Sequence, residues 1–189
     1  DGVELIRAAK AKGIHVSAEA TPHHLTLTDE ACDGYRTEAK VNPPLRSEGD
    51  RDAVIQGLVD GTLDVIATDH APHHYDEKEQ AFEDAPFGLV GLETALGIVL
   101  THIFAKKLLS LTEIVDRMSC APARAFNLPG GTLREGAPAD ITVFDPHREW
   151  IVNPTQLLSK SKNTPFAGWR LTGRATLTVV GGRIVWEAK

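Results

Sequence analysis

Polar residues in three segments of the chain are spaced so that they could do chemistry together. Thr21-Pro22-His23-His24 is followed by Asn42-Pro43-Pro44 and then by Asp69-His70-Ala71-Pro72-His73-His74. Carboxylate and imidazole groups are the donors of zinc-type sites, so the third segment is a candidate for metal-assisted chemistry. An aspartate at the end of a strand that is buried on both faces is also costly unless it is paired, hydrogen-bonded or bound to a metal.

Each of these side chains also has a purely structural interpretation. Asp69 can cap the turn that follows it. The residues alone favour this structural role and a chemical role equally. His73 follows the rigid Pro72 and can ligate a metal, bind an anionic substrate or face water, which is what a lone loop histidine usually does. We expect His70 and His74 to be structural or exposed.

Other residues with a possible role in binding are similarly ambiguous. His23 and His24 diverge on extended backbone, so at most one of them points into a given site. Asn42 before two prolines is a typical turn former, and as a ligand contact it offers a donor and an acceptor in a fixed position. Gly88 after Phe87 either belongs to an ordinary loop or lets a ligand approach the backbone closely.

Alternating helices and strands must position these segments. Apolar periodicity and turn signals predict helices over 3–12, 48–60, 90–107, 112–119 and 121–127, and strands over 14–20, 37–41 and 63–68. The remaining chain is predicted to be β-rich, with strands over 140–145, 149–152, 175–180 and 183–187, the last two in a hairpin through Gly181-Gly182. We expect the acidic loop 76–84 to be a solvated surface or a mobile lid.

This alternation predicts an α/β fold with a parallel sheet, either open or closed into a barrel. Candidate ligands follow three successive strands, which favours a barrel over a doubly wound sheet. A full barrel needs about 250 residues, so we expect about half of one in residues 1–128. Residues 129–189 are expected to form a separate β-rich segment.

Composition excludes several other classes of protein. The chain has 189 residues, a net charge of −6 and two cysteines, Cys32 and Cys120. Its acidic balance argues against a general nucleic-acid binder, and no apolar run reaches the ~18 residues that a membrane span needs. Two cysteines exclude a disulfide scaffold and fit a reducing compartment, with the cytoplasm as the expected location. Because the chain opens at Asp1 in mid-helix, we also expect a fragment or a processed piece.

Four motifs in this order resemble the dihydroorotases of the bacterial class I type, which are metal-dependent cyclic amidohydrolases of pyrimidine synthesis. The motifs are Thr21–Leu25 (TPHHL), Asn42–Arg46 (NPPLR), Thr68–His73 (TDHAPH) and Ala85–Gly88 (APFG), and the flanks 119–124 and 136–140 are also similar to this family. The resemblance implies the C-terminal half of a TIM (β/α)8-type barrel over 1–128, followed by strands of a small composite domain over 129–189.

The resemblance also implies roles for individual residues. Asp69 would contact one Zn²⁺ and act as general acid and base, while Asn42, His73 and the backbone of Phe87 and Gly88 would bind the substrate. His23 and His24 would have no role as metal ligands. The remaining ligands of one or two zinc ions would be a His-x-His pair, a bridging acidic group and two further histidines, all upstream of Asp1, as would a substrate-binding arginine. The isolated chain would then be inactive.

The implied reaction interconverts N-carbamoyl-L-aspartate and L-dihydroorotate through a zinc-activated water. Two alternatives stay open, namely an inactive scaffold subunit for aspartate transcarbamoylase and an amidohydrolase of the allantoinase or dihydropyrimidinase type. The expected partners are the small-molecule substrate and either a second copy of the chain or aspartate transcarbamoylase, with neither nucleic acid nor a membrane.

Overall fold

The computed structural model describes residues 1–188 and has a mixed helix and strand composition. Its α-helices are α1 (Gly2–Ala11), α2 (Glu48–Val59), α3 (Tyr75–Lys78), α4 (Leu92–Val99), α5 (Leu111–Val115) and α6 (Ala121–Ala125). Its strands are β1 (Glu19–Ala20), β2 (Val65–Ile66), β3 (Ile141–Ile151), β4 (Arg170–Val180) and β5 (Arg183–Glu187). Short 3₁₀ helices cover Asp29–Cys32, Thr37–Ala39 and Pro154–Gln156. No helix within residues 1–188 has the length and apolar character to span a membrane.

Strands β1 and β2 pair in parallel, and α2 lies between them in the sequence. Glu19 is opposite Val65 and Ala20 is opposite Ile66. The predicted parallel arrangement is therefore present, but both strands are shorter than the predicted 14–20 and 63–68. A ladder extends only where two extended backbones lie side by side, and a sequence pattern cannot measure that.

The predicted strand over 37–41 is wrong. Thr37–Ala39 is a 3₁₀ helix, and the backbone here is bound by loops instead of by a neighbouring strand. The Thr37 hydroxyl donates to the carbonyl of Lys78, and the carbonyl of Lys40 accepts from the N–H of Gly88 at 2.9 Å. These partners are non-local, so periodicity could not identify them.

The helical prediction over 90–107 is confirmed in outline. Helix α4 continues as a π-helical segment, Leu100–Phe104. Its start is set by a tertiary contact, because Nδ1 of His70 accepts from the N–H groups of Gly91 at 3.1 Å and Leu92 at 3.4 Å. Helices α5 and α6 are likewise joined by a π-helical segment, Asp116–Cys120.

Strands β3, β4 and β5 form an antiparallel sheet in that order. The hairpin through Gly181-Gly182 is confirmed, and the two strands predicted over 140–145 and 149–152 are one strand with a register shift between Asp145 and Glu149. Pro146 lies in this shift and lacks an N–H for the ladder.

Two apolar clusters form the core. The first packs α2, β2 and the α4 region around Leu58, Val99 and Ile103, which are completely or almost completely buried. The second joins Ile98 of α4 to residues of the β-rich segment, including Phe166 and Leu171. Segment 129–188 is thus packed directly against the helix that follows the polar loops.

Candidate active site

Asp69 lies at the carboxyl side of β2, where parallel strands usually present catalytic groups. Its backbone is in the left-handed region, with φ of 48°, and 45% of its side chain is exposed. An aspartate tolerates this conformation better than most residues, and here it turns the carboxylate out of the strand. The structure therefore leaves Asp69 accessible to a ligand.

His23 is buried and faces Asp69. Its Nε2 is 3.9 Å from Oδ2 of Asp69, and within residues 1–188 this buried nitrogen has no hydrogen-bond partner. Burial, with a smaller contribution from His24, lowers the pKa of His23 to about 3, so its imidazole is neutral. The ring of His24 lies beside it, with the two ring centres 4.5 Å apart, and its Nε2 lies 2.9 Å from the carbonyl of Pro43. His23 is the one that approaches Asp69. The expected divergence of the two side chains on extended backbone is wrong, because residues 22–26 form a turn in which the two rings lie side by side.

His73, Phe87 and Gly88 come together in the structure. Nε2 of His73 is 2.8 Å from the carbonyl oxygen of Phe87, which can only accept, so this nitrogen carries a proton. Nδ1 of His73 is 3.6 Å from a carboxylate oxygen of Glu77. Nε2 therefore has a protein partner, and direct binding of a ligand by this nitrogen requires it to leave the Phe87 carbonyl.

Gly88 is in close contact with the segment that follows Asp69. Its φ is 128°, and a Cβ atom at this position would be 2.5 Å from the Cβ of Ala71 and 3.1 Å from Nε2 of His73. A glycine is required here for both its conformation and its size. The packing of these two loops against each other therefore requires the glycine, and the close approach of a ligand to its backbone stays a prediction.

Asn42 is exposed and precedes a cis peptide bond to Pro43. It lies two residues after Lys40, whose carbonyl binds the N–H of Gly88. This connection brings the Asn42 loop near the Phe87–Gly88 loop through the backbone.

Loop Phe82–Gly88 is held by two lysines that the sequence did not single out. Lys40 and Lys78 are 8% and 5% exposed, respectively. Nζ of Lys40 donates to the carbonyls of Phe82, Glu83 and Ala85, and Nζ of Lys78 donates to those of Pro86 and Gly88. Segment 76–84 was expected to be a solvated surface or a mobile lid. This expectation is wrong at Lys78, whose side chain is buried. The sequence signal that could have indicated burial of Lys40 is its position between the apolar residues Ala39 and Val41.

Asn163, also missed by sequence reasoning, bridges two of the polar loops. Its Nδ2 donates to the carbonyl of Gly88 at 3.0 Å, and its Oδ1 accepts from the N–H of His73 at 3.4 Å. The residue lies between β3 and β4, so the β-rich segment contributes directly to this region. A groove of about 620 Å³ opens beside these contacts and is lined by His73, Lys78 and Asn163, among others.

His70 and His74 have structural roles, as predicted. His70 binds the first N–H groups of α4, and Nδ1 of His74 accepts from the N–H of Asp76 at the start of α3. A second groove, of about 440 Å³, lies between α4 and the antiparallel sheet and includes Trp150 and Trp186. It contains none of the predicted site residues.

The donors near Asp69 fit zinc in type but not in number. A carboxylate beside a neutral, unpartnered imidazole nitrogen is chemistry that zinc uses, yet a catalytic zinc needs about three protein ligands. Within the described part of the chain, no group of three or more His, Cys, Asp or Glu residues could hold a metal ion.

Comparison with known proteins gives the family. The profile of the amidohydrolase family matches residues 2–185. This chain belongs to the amidohydrolase family. It is 51% identical over 189 residues to a dihydroorotase of Halalkalibacterium halodurans and 55% identical over 185 residues to one of Pelotomaculum thermopropionicum. The two matches include 100% and 98% of this chain but only 44% and 43% of the relatives. The chain therefore spans less than half of the relatives' length.

Two solved structures share this fold. The L-hydantoinase (dihydropyrimidinase) of Arthrobacter aurescens superimposes with a TM-score of 0.92 and 35% identity, over 99% of this chain and 43% of that protein. The dihydropyrimidinase of Brevibacillus agri superimposes with a TM-score of 0.91 and 26% identity, over 98% and 42%. The backbone of this chain is therefore arranged as in the matching part of these two proteins.

Proposed function

We propose that this amidohydrolase chain forms part of a dihydroorotase, which interconverts L-dihydroorotate and N-carbamoyl-L-aspartate. The observation that carries the proposal is its 51–55% identity to curated dihydroorotases over nearly its whole length. The identity to the L-hydantoinase of known structure is 35%. Under this proposal, residues 1–128 are the C-terminal half of a (β/α)8 barrel and residues 129–189 belong to a small composite domain.

Asp69 is the proposed general acid and base. In hydrolysis its carboxylate accepts a proton from the attacking water and delivers it to the amide nitrogen as the ring C–N bond breaks. Cyclisation reverses these transfers. The left-handed backbone and the neighbouring His23 support this role, because they present the carboxylate at a strand end beside a neutral ring.

Asp69 would also be a ligand of the proposed zinc site, and residues 1–188 contain no group of three or more His, Cys, Asp or Glu residues that could hold the ion by themselves. Zinc, when bound, supplies a water that ionises near neutral pH. His23 stays neutral beside the carboxylate, so it adds no charge that would oppose a cation there.

Substrate binding is proposed for Asn42, His73 and the backbone of Phe87 and Gly88. The substrate carries carboxylate groups, and these residues offer amide, imidazole and peptide donors. In the structure His73 orients the Phe87 carbonyl, so we propose that it acts on the substrate partly through this peptide.

The test uses the protein expressed from its complete gene. Ring opening of dihydroorotate and cyclisation of carbamoyl aspartate are measured beside hydantoin, dihydrouracil and allantoin. We expect dihydroorotate to be preferred, and Asp69→Ala to lower its turnover by at least about 10²-fold. The control is Asp33→Ala, an exposed aspartate on another loop, which should keep normal turnover.

Two results would replace the proposal. Preferred turnover of hydantoin or dihydrouracil would assign the chain to the hydantoinase type, the second candidate, which its structural similarity favours. A protein that turns over none of these compounds and binds aspartate transcarbamoylase would be a scaffold. Analytical ultracentrifugation with and without that enzyme distinguishes the scaffold from a homodimer.

A further inference from the structure

Lys40 and Lys78 use their buried charges in an unusual way. A buried lysine is normally paired with a carboxylate, because an unpaired ammonium loses its hydration. Here the two Nζ atoms donate instead to five backbone carbonyls within a single loop, Phe82–Gly88. The carbonyl of Phe87 accepts a hydrogen bond from Nε2 of His73.

The two lysines hold this loop from different directions. Lys40 lies just before the Asn42 loop, and its own carbonyl binds the N–H of Gly88 at 2.9 Å. Lys78 ends α3, and its carbonyl accepts from the Thr37 hydroxyl. Nζ of Lys40 also lies 4.7 Å from the centre of the Phe87 ring. Two segments, 37–42 and α3, are therefore joined to each other and to the loop.

This arrangement determines which side of the loop presents its donors. In a trans peptide the carbonyl and the N–H point in opposite directions. The carbonyl of Pro86 binds Lys78 at 2.9 Å, so the N–H of Phe87 points away from that lysine. No described residue in the chain accepts a hydrogen bond from this N–H, and Phe87 is exposed. It is a free donor on an oriented peptide.

We propose that Lys40 and Lys78 are positioning residues that orient the Phe87–Gly88 backbone for an anionic substrate. This inference rests on the proposed function for the identity of the substrate. Lys78 polarises the Pro86–Phe87 peptide through the Pro86 carbonyl and so strengthens the Phe87 N–H as a donor. Lys40 holds the residues just before it, through the carbonyls of Phe82, Glu83 and Ala85. Burial lowers the pKa of Lys78, and its contacts with two carbonyls favour its charged form.

The experiment compares Lys78→Met and Lys40→Met with Lys10→Met, all in the protein expressed from its complete gene. Lys10, on α1, is the control: its part-buried Nζ also donates to a carbonyl, that of Gly61, and is ion-paired with Asp64, so its loss tests the removal of a part-buried lysine that does not contact the loop. Two quantities are measured: hydrogen exchange of peptides that cover residues 82–91, without substrate, and the KM and kcat for dihydroorotate.

We expect both loop variants to increase hydrogen exchange in this region by about tenfold or more, which corresponds to the loss of one or two hydrogen bonds. KM should rise by about tenfold, while kcat changes less, because the contacts orient bound substrate before and during the reaction. Lys78→Arg, which keeps a cation and several donors, should recover part of the KM effect. If Lys78→Met does not fold, Lys78→Gln takes its place.

Unchanged exchange in folded variants would overturn the inference, as would faster exchange with unchanged KM. A fall in kcat alone would also overturn it, since it would indicate a general structural effect. A wild-type protein that does not act on dihydroorotate would refute the proposed function separately, and the exchange measurement would still decide whether the lysines hold the loop.

Discussion

Gly88→Ala tests the closest contact between the Phe82–Gly88 loop and the segment after Asp69. The new Cβ would be 2.5 Å from the Cβ of Ala71, so a gap of about 1 Å must open before the two atoms reach ordinary contact. Neither side moves freely. The N–H and carbonyl of Gly88 are bound by Lys40, Lys78 and Asn163, and the N–H of Ala71 binds the carbonyl of Leu89 at 2.8 Å.

Two effects add up in this variant. A non-glycine residue at φ of 128° is strained by about 1–3 kcal/mol, and overpacking adds about 1–3 kcal/mol. Gly136→Ala is the matched control, because its φ of 82° is also positive but nothing lies within 4 Å of its Cβ position. The difference between the two variants therefore reports mainly the steric contact.

Urea unfolding of the wild type and both variants measures these quantities. We expect Gly88→Ala to be less stable than Gly136→Ala by about 1–3 kcal/mol. Its activity should fall by about 10²-fold, because a shift of about 1 Å would misplace Asp69, the proposed general acid and base. Equal stabilities for the two variants, or full activity of Gly88→Ala, would refute the reasoning that the two loops are in close, rigid contact.

Three further predictions concern the surrounding scaffold. Burial, Lys106 and Arg51 lower the pKa of His102, so the unfolded chain binds a proton that the folded one does not, and stability should fall as pH drops below about 6.5. His23, whose pKa is lowered to about 3, contributes to the same dependence. His102→Gln should therefore reduce part of it in urea midpoints at several pH values, and the exposed His147→Gln should not. Ser110→Ala removes the capping box with Glu113 at the start of α5 and should lower the free energy of unfolding by about 1 kcal/mol. An unchanged free energy of unfolding would mean that water replaces the cap. Leu58→Ala, at a completely buried position, should lower it by about 2–5 kcal/mol, and a loss below about 1 kcal/mol would contradict its place in the core.

Local sequence patterns predicted the parts of the fold whose interactions are local. Helices over 3–12 and 48–60 correspond to Gly2–Ala11 and Glu48–Val59, because apolar spacing and caps act within a few residues. The hairpin at Gly181-Gly182 was found for the same reason. Strands were less well predicted, since 37–41 has strand-like composition but forms a 3₁₀ helix bound by distant loops.

The candidate site shows the same division. The residue types around Asp69 and the order of the four motifs could be read directly, and they identified the family that the comparisons support. The orientation of His23 towards Asp69 and the engagement of His73 with Phe87 required the structure. Side-chain direction depends on where the chain turns, and the left-handed backbone of Asp69 is such a turn.

By itself, the sequence determined which groups are available for chemistry and which segments become helices, because residue identity and short-range spacing are sufficient for both. The tertiary structure alone decided that Lys40, Lys78 and Asn163 would act on one loop. Their partners within this loop lie up to 75 residues away in the sequence. A lysine acquires such carbonyl contacts only when folding removes its water and brings the loop to it.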